Sequence, residues 1–539
     1  MSEPKSPGRW IVNLLEAHGV DTVFGIPGVH TIALYDGLAD SPIHHVTPRH
    51  EQGAGFMADG YARATGKPGV CFVITGPGLT NITTPMGQAY SESIPMLVIS
   101  SVSNRRHLHR GLGQLHEMPD QQAMAAGVSA FSHTLHDLAE LPAVLAEAFA
   151  VFNSSRPRPV HIEIPLDLWD QSPPQSVPAA PAAAAPQRPA DEALAAAAER
   201  IRAASRPVIL AGGGNRRDPQ VVRRLAEDLD APVVMTVNAR GLLPPEHPLA
   251  VPASPSLGPV RELLAESDCV LAIGTEMGPT DYDMYETGMP EFSAPLIRID
   301  IDAAQMNRPQ APDIALLGDA ALTTHALHRA IGDNAAGRDA DDGANRAERA
   351  RTAARKALDG DMQKALGFLE TIRDTLPEAY LVGDSTNPIY AGDLYFAAAT
   401  PGSWFNSAVG FGTLGYALPT ALGVSLGAPD RPVVCLVGDG GLHYTIGELA
   451  AIRAEQRPVI VLVWNNSAFK EIRIAMEAEG VKPIGVELFT PDLVKLAEAY
   501  EFAAERPKSA EELPDILRRA AAHDGPTLID LDERLILGG

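Results

Sequence analysis

VVCLVGDGGLHYTIGELAAIRAEQRPVIVLVWNNSAF, residues 433–469, reads as one strand–helix–strand unit. Val433 to Val437 and Val459 to Trp464 have the length and β-branched content of strands buried on both faces, and Ile446 to Ala454 has helical spacing of its apolar residues. Polar residues follow each strand, Gly438-Asp439-Gly440-Gly441 after the first and Asn465-Asn466 after the second, where such units bind ligands. Asp439 and Asn466 offer hard oxygen ligands, too few to cage a cation alone. That suits a Mg²⁺ that completes its octahedron with water and phosphate oxygens. The glycines let backbone N–H groups approach those phosphates, and the following helix points its positive end at them. The unit reads as a metal–diphosphate clamp.

The chain has 539 residues, enough for three or four domains. Lys and Arg number 43 against 67 Asp and Glu, a net charge of −24, which argues against nucleic acid or an anionic membrane as a partner. Cys71, Cys269 and Cys435 each lie inside an apolar run and are expected to be buried small hydrophobes rather than disulfides or nucleophiles. With no basic leader and no apolar run near the ~20 residues of a membrane span, a cytoplasmic location is expected.

Further apolar runs at Val20–Phe24, Ile43–Val46, Val70–Thr75, Met96–Ser100 and Val160–Ile164 alternate with helical patterns, so the first domain, residues 1–170, is an α/β unit with a parallel sheet. Residues 171–190, almost entirely Pro, Ala, Ser and Gln, form an extended linker. The central domain, 191–330, repeats the pattern with strands at Val208–Ala211, Val233–Val237, Val270–Ile273 and Leu296–Ile301. Gly212-Gly213-Gly214 after its first strand fits a tight turn better than a phosphate loop. The polar stretch 332–350 reads as a second linker, and the third domain covers 355–539. The expected fold is α/β, three doubly wound parallel-sheet domains. No repeat is visible by identity, which leaves a shared topology of the first and third domains open.

Gly-Asp-Gly joined to Asn-Asn at the end of the next strand resembles the thiamine-diphosphate signature, and the resemblance to the acetolactate synthase and 2-oxo acid decarboxylase superfamily extends over nearly the whole chain. It implies pyrimidine-binding, central and diphosphate-binding domains in that order, and a metal held by Asp439, Asn466 and the carbonyl of Ala468, with Gly438, Gly440 and Gly441 at the diphosphate. Thiamine diphosphate works as an ylid and electron sink. In the family its aminopyrimidine is switched to the imino tautomer by a Glu in a segment like Arg49-His50-Glu51-Gln52-Gly53-Ala54, which carries over to Glu51; a helix N-terminal carboxylate is the other reading. Glu51 and the clamp lie in different domains, and in this family those come from different subunits. A homodimer or dimer of dimers, with active sites at the subunit interface, is implied.

Within Gly410–Pro419, Leu414 matches the family's bulky residue that wedges the cofactor into a V, although an apolar side chain in a Gly-rich run is otherwise core. Ser385 and Thr386, after the strand-like Leu381-Val382, can meet the diphosphate or cap a helix; Asp384 would repel it. Gly76 and Asn81 resemble the loop beside the pyrimidine. Residues 111–117, GLGQLHE, resemble the loop over the thiazolium, where acetolactate synthases carry Phe-Gln-Glu and this chain has Leu115-His116-Glu117. His116 there is placed to move protons near neutral pH. Beyond Asn466, Glu471 falls near the substrate-side carboxylate of the decarboxylases, unless the register shifts to Ile472 or the residue is a surface helix position.

Three readings compete: a non-oxidative 2-oxo acid decarboxylase releasing aldehyde and CO₂, a carboligase of the acetolactate synthase type, and a catalytically silent member. The stretch Thr275–Asp283 lacks the arginines with which acetolactate synthases commonly bind FAD, so FAD is not expected. That stretch, HEMPDQ at 116–121 and GDSTNP at 383–388 resemble the 5-guanidino-2-oxopentanoate decarboxylase branch, and decarboxylation is the favoured outcome.

Overall fold

The computed structural model describes residues 6–283, 287–332 and 342–538. Three parallel six-stranded sheets succeed one another along the chain. The first contains β1 (Thr22–Gly25), β2 (His44–Val46), β3 (Gly69–Val73), β4 (Met96–Val102), β5 (Phe131–Thr134) and β6 (Val160–Pro165), in the order β2-β1-β3-β4-β6-β5. The central sheet holds β7 (Pro207–Ala211), β8 (Val233–Met235), β9 (Ala250–Val251), β10 (Cys269–Ile273), β11 (Leu296–Asp300) and β12 (Ile314–Leu317), ordered β12-β11-β10-β7-β8-β9. The third holds β13 (Tyr380–Gly383), β14 (Trp404–Asn406), β15 (Val433–Gly438), β16 (Val459–Asn465), β17 (Ala503–Glu505) and β18 (Thr527–Asp532), ordered β14-β13-β15-β16-β18-β17. The first and third sheets therefore share one strand order, the topology left open by the sequence.

The valine-rich runs sit where their composition requires. β15 and β16 pair in parallel from Val433↔Val459 to Gly438↔Trp464, with β13 and β18 outside them, so both faces are covered by helices. Cys71, Cys269 and Cys435 are buried in β3, β10 and β15, without disulfides. Among the described residues no helix is long and apolar enough to cross a membrane.

Residues 171–190 carry no helix or strand, as their composition predicts. The second expected linker differs. Its residues 333–341 lie outside the described set, but Gly343–Ala357 is a helix that buries Ala347, Ala350 and Ala354. Those alanines recur at spacings of three and four, a helical stripe narrow enough to pass for a polar segment. The run Gly212–Gly214 is a tight turn: a Cβ at Gly212 would sit 2.2 Å from the Gly274 carbonyl oxygen. It lies beside a cavity of about 700 Å³ at the carboxyl ends of the central strands.

The first and third domains are joined by the helices Glu51–Thr65 and Ala417–Gly427. These approach so closely that a Cβ at Gly60 would meet the Thr420 carbonyl oxygen at 2.1 Å, and one at Gly423 the Met57 oxygen at 1.9 Å. Tyr416 donates to Asp59 Oδ1 (2.7 Å), which also accepts from Arg63 (2.6 Å), while Asp59 Oδ2 and the Thr420 hydroxyl are buried without a hydrogen-bond partner. Gly423→Ala is expected to destabilise the chain by about 1–3 kcal/mol through overpacking, read as a lower urea midpoint with an unchanged slope.

Candidate functional site

The third sheet switches direction of winding between β13 and β15, and a cavity of about 230 Å³ opens at that point. The loop after β13 brings Ser385 and Thr386, the loop after β15 brings Gly438 to Gly441, and the turn after β16 brings Asn466 and Ala468. Asp439, the first residue of a short helix and only 1% exposed, accepts from Asn466 N at 3.3 Å and from the Thr490 hydroxyl at 2.5 Å. Asn466 donates its side-chain N–H to Glu533 (3.2 Å). Glu533 is itself held by Trp464 (3.1 Å) and Lys470 (3.0 Å), and this fixes which way the carboxamide faces. Ser467, in the left-handed region at φ 56°, turns the chain so that Ala468 reaches the cavity wall. Among the described residues no group of three or more His, Cys, Asp or Glu could hold a metal ion. One carboxylate, one carboxamide and one main-chain carbonyl leave half of an octahedron open, a donor set that fits Mg²⁺ only when phosphate oxygens and water complete it.

Thr386 occupies the N-cap position of the helix Asn387–Leu394 yet makes no side-chain capping bond, so its hydroxyl is not consumed by the helix. Asp384 is fully buried and accepts from Ser385 N (2.9 Å), Gly415 N (2.8 Å) and the Ser407 hydroxyl (3.2 Å). Burial pushes its pKa up to about 6. Its carboxylate pins the loop that carries Leu414, which lines the cavity. Gly412 (φ 73°) and Gly415 (φ 78°) supply the left-handed backbone on either side. Gln88 of the first domain braces the same loop through the Thr413 hydroxyl (3.0 Å) and the Val409 carbonyl (2.8 Å). Glu471 and Ile472 both line this cavity, and Asn387 reaches the Glu471 carboxylate at 3.4 Å. No described Lys or Arg pairs with Glu471.

The first domain carries a second group of residues. Glu51 opens its helix after the N-cap His50, and Asn81 donates to its carboxylate at 2.9 Å. The turn at Gly76 (φ 67°) is packed so tightly on the loop 111–117 that a Cβ there would lie 2.5 Å from the His116 carbonyl oxygen. His116 faces His30 with ring centroids 5.3 Å apart, and both Nδ1 atoms are buried without a partner. Burial, then the neighbouring His116, lowers the pKa of His30. The two neighbouring rings thus each keep one ring nitrogen with unused hydrogen-bonding capacity.

None of Glu51, Gly76, Asn81 or His116 lines the cavity at Asp439. The sequence-predicted site residues thus fall into two separate groups on one chain. His30, Thr490 and Glu533 were not singled out from the sequence. His30 had a usable signal, its position just past Gly25-Ile26-Pro27-Gly28 at the carboxyl end of β1; Thr490 and Glu533 had none, being remote in sequence from the atoms they hold.

Models of the thiamine pyrophosphate enzymes match three parts of the chain: the N-terminal TPP binding domain over residues 6–124, the central domain over 194–327 and the C-terminal TPP binding domain over 385–531. The chain is 47% identical to a probable 2-ketoarginine decarboxylase of Pseudomonas aeruginosa over 97% of its own length and 93% of that protein. It is 33% identical to the acetolactate synthase isozyme 1 large subunit of Escherichia coli over 85% of its length and 81% of that subunit. To acetolactate synthase 3 of Brassica napus it is 29% identical, over 98% and 84%. With all three domains matched and a relative 47% identical over 97% of its length, this chain belongs to the thiamine pyrophosphate enzymes.

Proposed function

We propose that the protein is a Mg²⁺-dependent, non-oxidative decarboxylase of a 2-oxo acid with a guanidinium tail, 5-guanidino-2-oxopentanoate, releasing the aldehyde and CO₂. The observation that carries the substrate class is Glu471, a carboxylate in the wall of the cavity beside the diphosphate clamp that no described cation neutralises. The likeness to a probable 2-ketoarginine decarboxylase supports the same reading.

Asp439, Asn466 and the Ala468 carbonyl would hold the Mg²⁺, with the glycine amides at 438–441 and the hydroxyls of Ser385 and Thr386 at the diphosphate. Leu414 would hold the cofactor's bend. Thiamine diphosphate, when bound, supplies the carbanion nucleophile and the electron sink. Glu51, oriented by Asn81, would hold the aminopyrimidine of a bound cofactor and bias its protonation. His116 and His30 are placed to hold and return the proton that the product carbon needs after CO₂ leaves. Because the two half-sites of one chain do not meet, two copies complete each site.

Asp439→Ala removes the only carboxylate of the metal donor set, and the account expects loss of cofactor binding with the fold retained. Calorimetric affinity close to wild type, with unchanged circular dichroism, would count against the clamp.

A pocket built for a guanidinium leaves its carboxylate unpaired when a neutral 2-oxo acid enters. A buried charge-assisted bond is worth roughly 1.5–3 kcal/mol, or about 10- to 150-fold in kcat/KM. Glu471→Gln is expected to lower turnover of the guanidino acid more than that of a neutral analogue of equal length. Acyloin as the main product, from pyruvate as readily as from the guanidino acid, would favour the carboligase instead.

A further inference from the structure

Glu448 lies outside both half-sites and is 1% exposed. It ends the 3₁₀ turn Ile446–Glu448, which follows the helix opened by Asp439 in the third domain, yet its carboxylate reaches the first domain. Both of its oxygens accept from Arg49 N, at 3.0 and 3.1 Å, and one also accepts from His50 N at 3.0 Å. These are the two amides directly before Glu51. His50 is also the N-cap of the Glu51 helix, its Nδ1 accepting from Gln52 N at 3.1 Å. Gly53 is the residue that admits the carboxylate, since a Cβ there would lie 2.2 Å from Glu448 Oε1. The Arg49 side chain closes the junction from the other side, donating to the Thr47 (2.6 Å) and Ala450 (3.3 Å) carbonyls.

We propose that Glu448 is a positioning residue for Glu51: it anchors the backbone on which the Glu51 carboxylate is aimed, while Asn81 anchors the carboxylate itself. The role rests on the reading of Glu51 as the group that sets the aminopyrimidine tautomer. A neutral side chain would be less costly to bury, but an ionised carboxylate accepts more strongly at both oxygens and turns no proton toward the Arg49 and His50 amides. The charged groups facing Glu448 are Arg49 and Glu51, with His50 beside them. Burial raises its pKa from the ordinary 4.5 to about 7. The grip is therefore complete only above that pH. The folded state binds a proton the unfolded state lacks between 4.5 and about 7, so this group's contribution to stability is lost as pH rises through the same window. Grip and stability thus run in opposite directions with pH.

The test follows exchange of the thiazolium C2 proton in the holoenzyme, saturated with thiamine diphosphate and Mg²⁺, across the pH range around 7. Wild type, Glu448→Ala, Glu448→Gln, Glu51→Gln and the double variant Glu51→Gln/Glu448→Ala are compared, with cofactor affinity measured by calorimetry. Glu448→Ala is expected to slow exchange by about 10- to 100-fold, the scale of a misplaced catalytic group, at unchanged cofactor affinity. Glu448→Gln keeps the shape, carries the test if the alanine variant does not fold, and should slow exchange less while removing the pH dependence near 7. The double variant should be no slower than Glu51→Gln. Wild-type exchange in both Glu448 variants, beside a slow Glu51→Gln, would overturn the positioning role alone. Wild-type exchange in Glu51→Gln would overturn the reading of Glu51 and the proposal with it.

Discussion

The contact between the helices Glu51–Thr65 and Ala417–Gly427 is the constraint from which the rest of the geometry follows. At Gly60 and Gly423 the two backbones touch, with no room for a side chain, so the first and third sheets are held in one fixed relation within the chain. Tyr416 and Arg63 both donate to Asp59 Oδ1 inside the contact and tie the two helices together. Neither Glu51 nor His116 lines the cavity at Asp439, so the two groups of residues lie apart on one chain. On the proposed reading, a cofactor that needs both takes the second group from another copy.

Charge decides how the clamp works. Asp439 is the one carboxylate in its donor set, and Asp384, although adjacent in space, is turned into the loop of Leu414 by three donors. An additional free carboxylate facing the cavity there would repel a diphosphate. Glu471 is different: it lines the same cavity, and the proposed reading assigns its charge to a cationic substrate tail rather than a phosphate. On that reading one carboxylate serves the metal, one the loop and one the substrate, so that a small cavity binds both an anion and a cation.

Much of this was legible in residues 433–469, because a strand buried on both faces reads as a continuous run of valine and isoleucine, and its ligand loop must follow at the carboxyl end. The interior strands of each sheet were found for the same reason, except β18, Thr527–Asp532, whose apolar run is broken by Asp530. The edge strands β5, Phe131–Thr134, and β17, Ala503–Glu505, were not, since an edge needs neither length nor a continuous apolar run. The helix Gly343–Ala357 was hidden by composition: its apolar face is alanine alone, so polarity outweighed period. His30, Thr490 and Glu533 act through folding that brings loops together, and local pattern does not carry that information.

The central claim, one cofactor gripped by halves from two copies, is tested most directly by mixing two inactive variants, Glu51→Gln and Asp439→Ala, and letting subunits exchange. Each mixed dimer would hold one site with both wild-type halves and one with neither. The account predicts that decarboxylation, absent from either variant alone, reappears in the mixture. A mixture as inactive as its components, despite exchanged subunits shown by mass spectrometry, would place both halves of each site on a single chain and contradict the account.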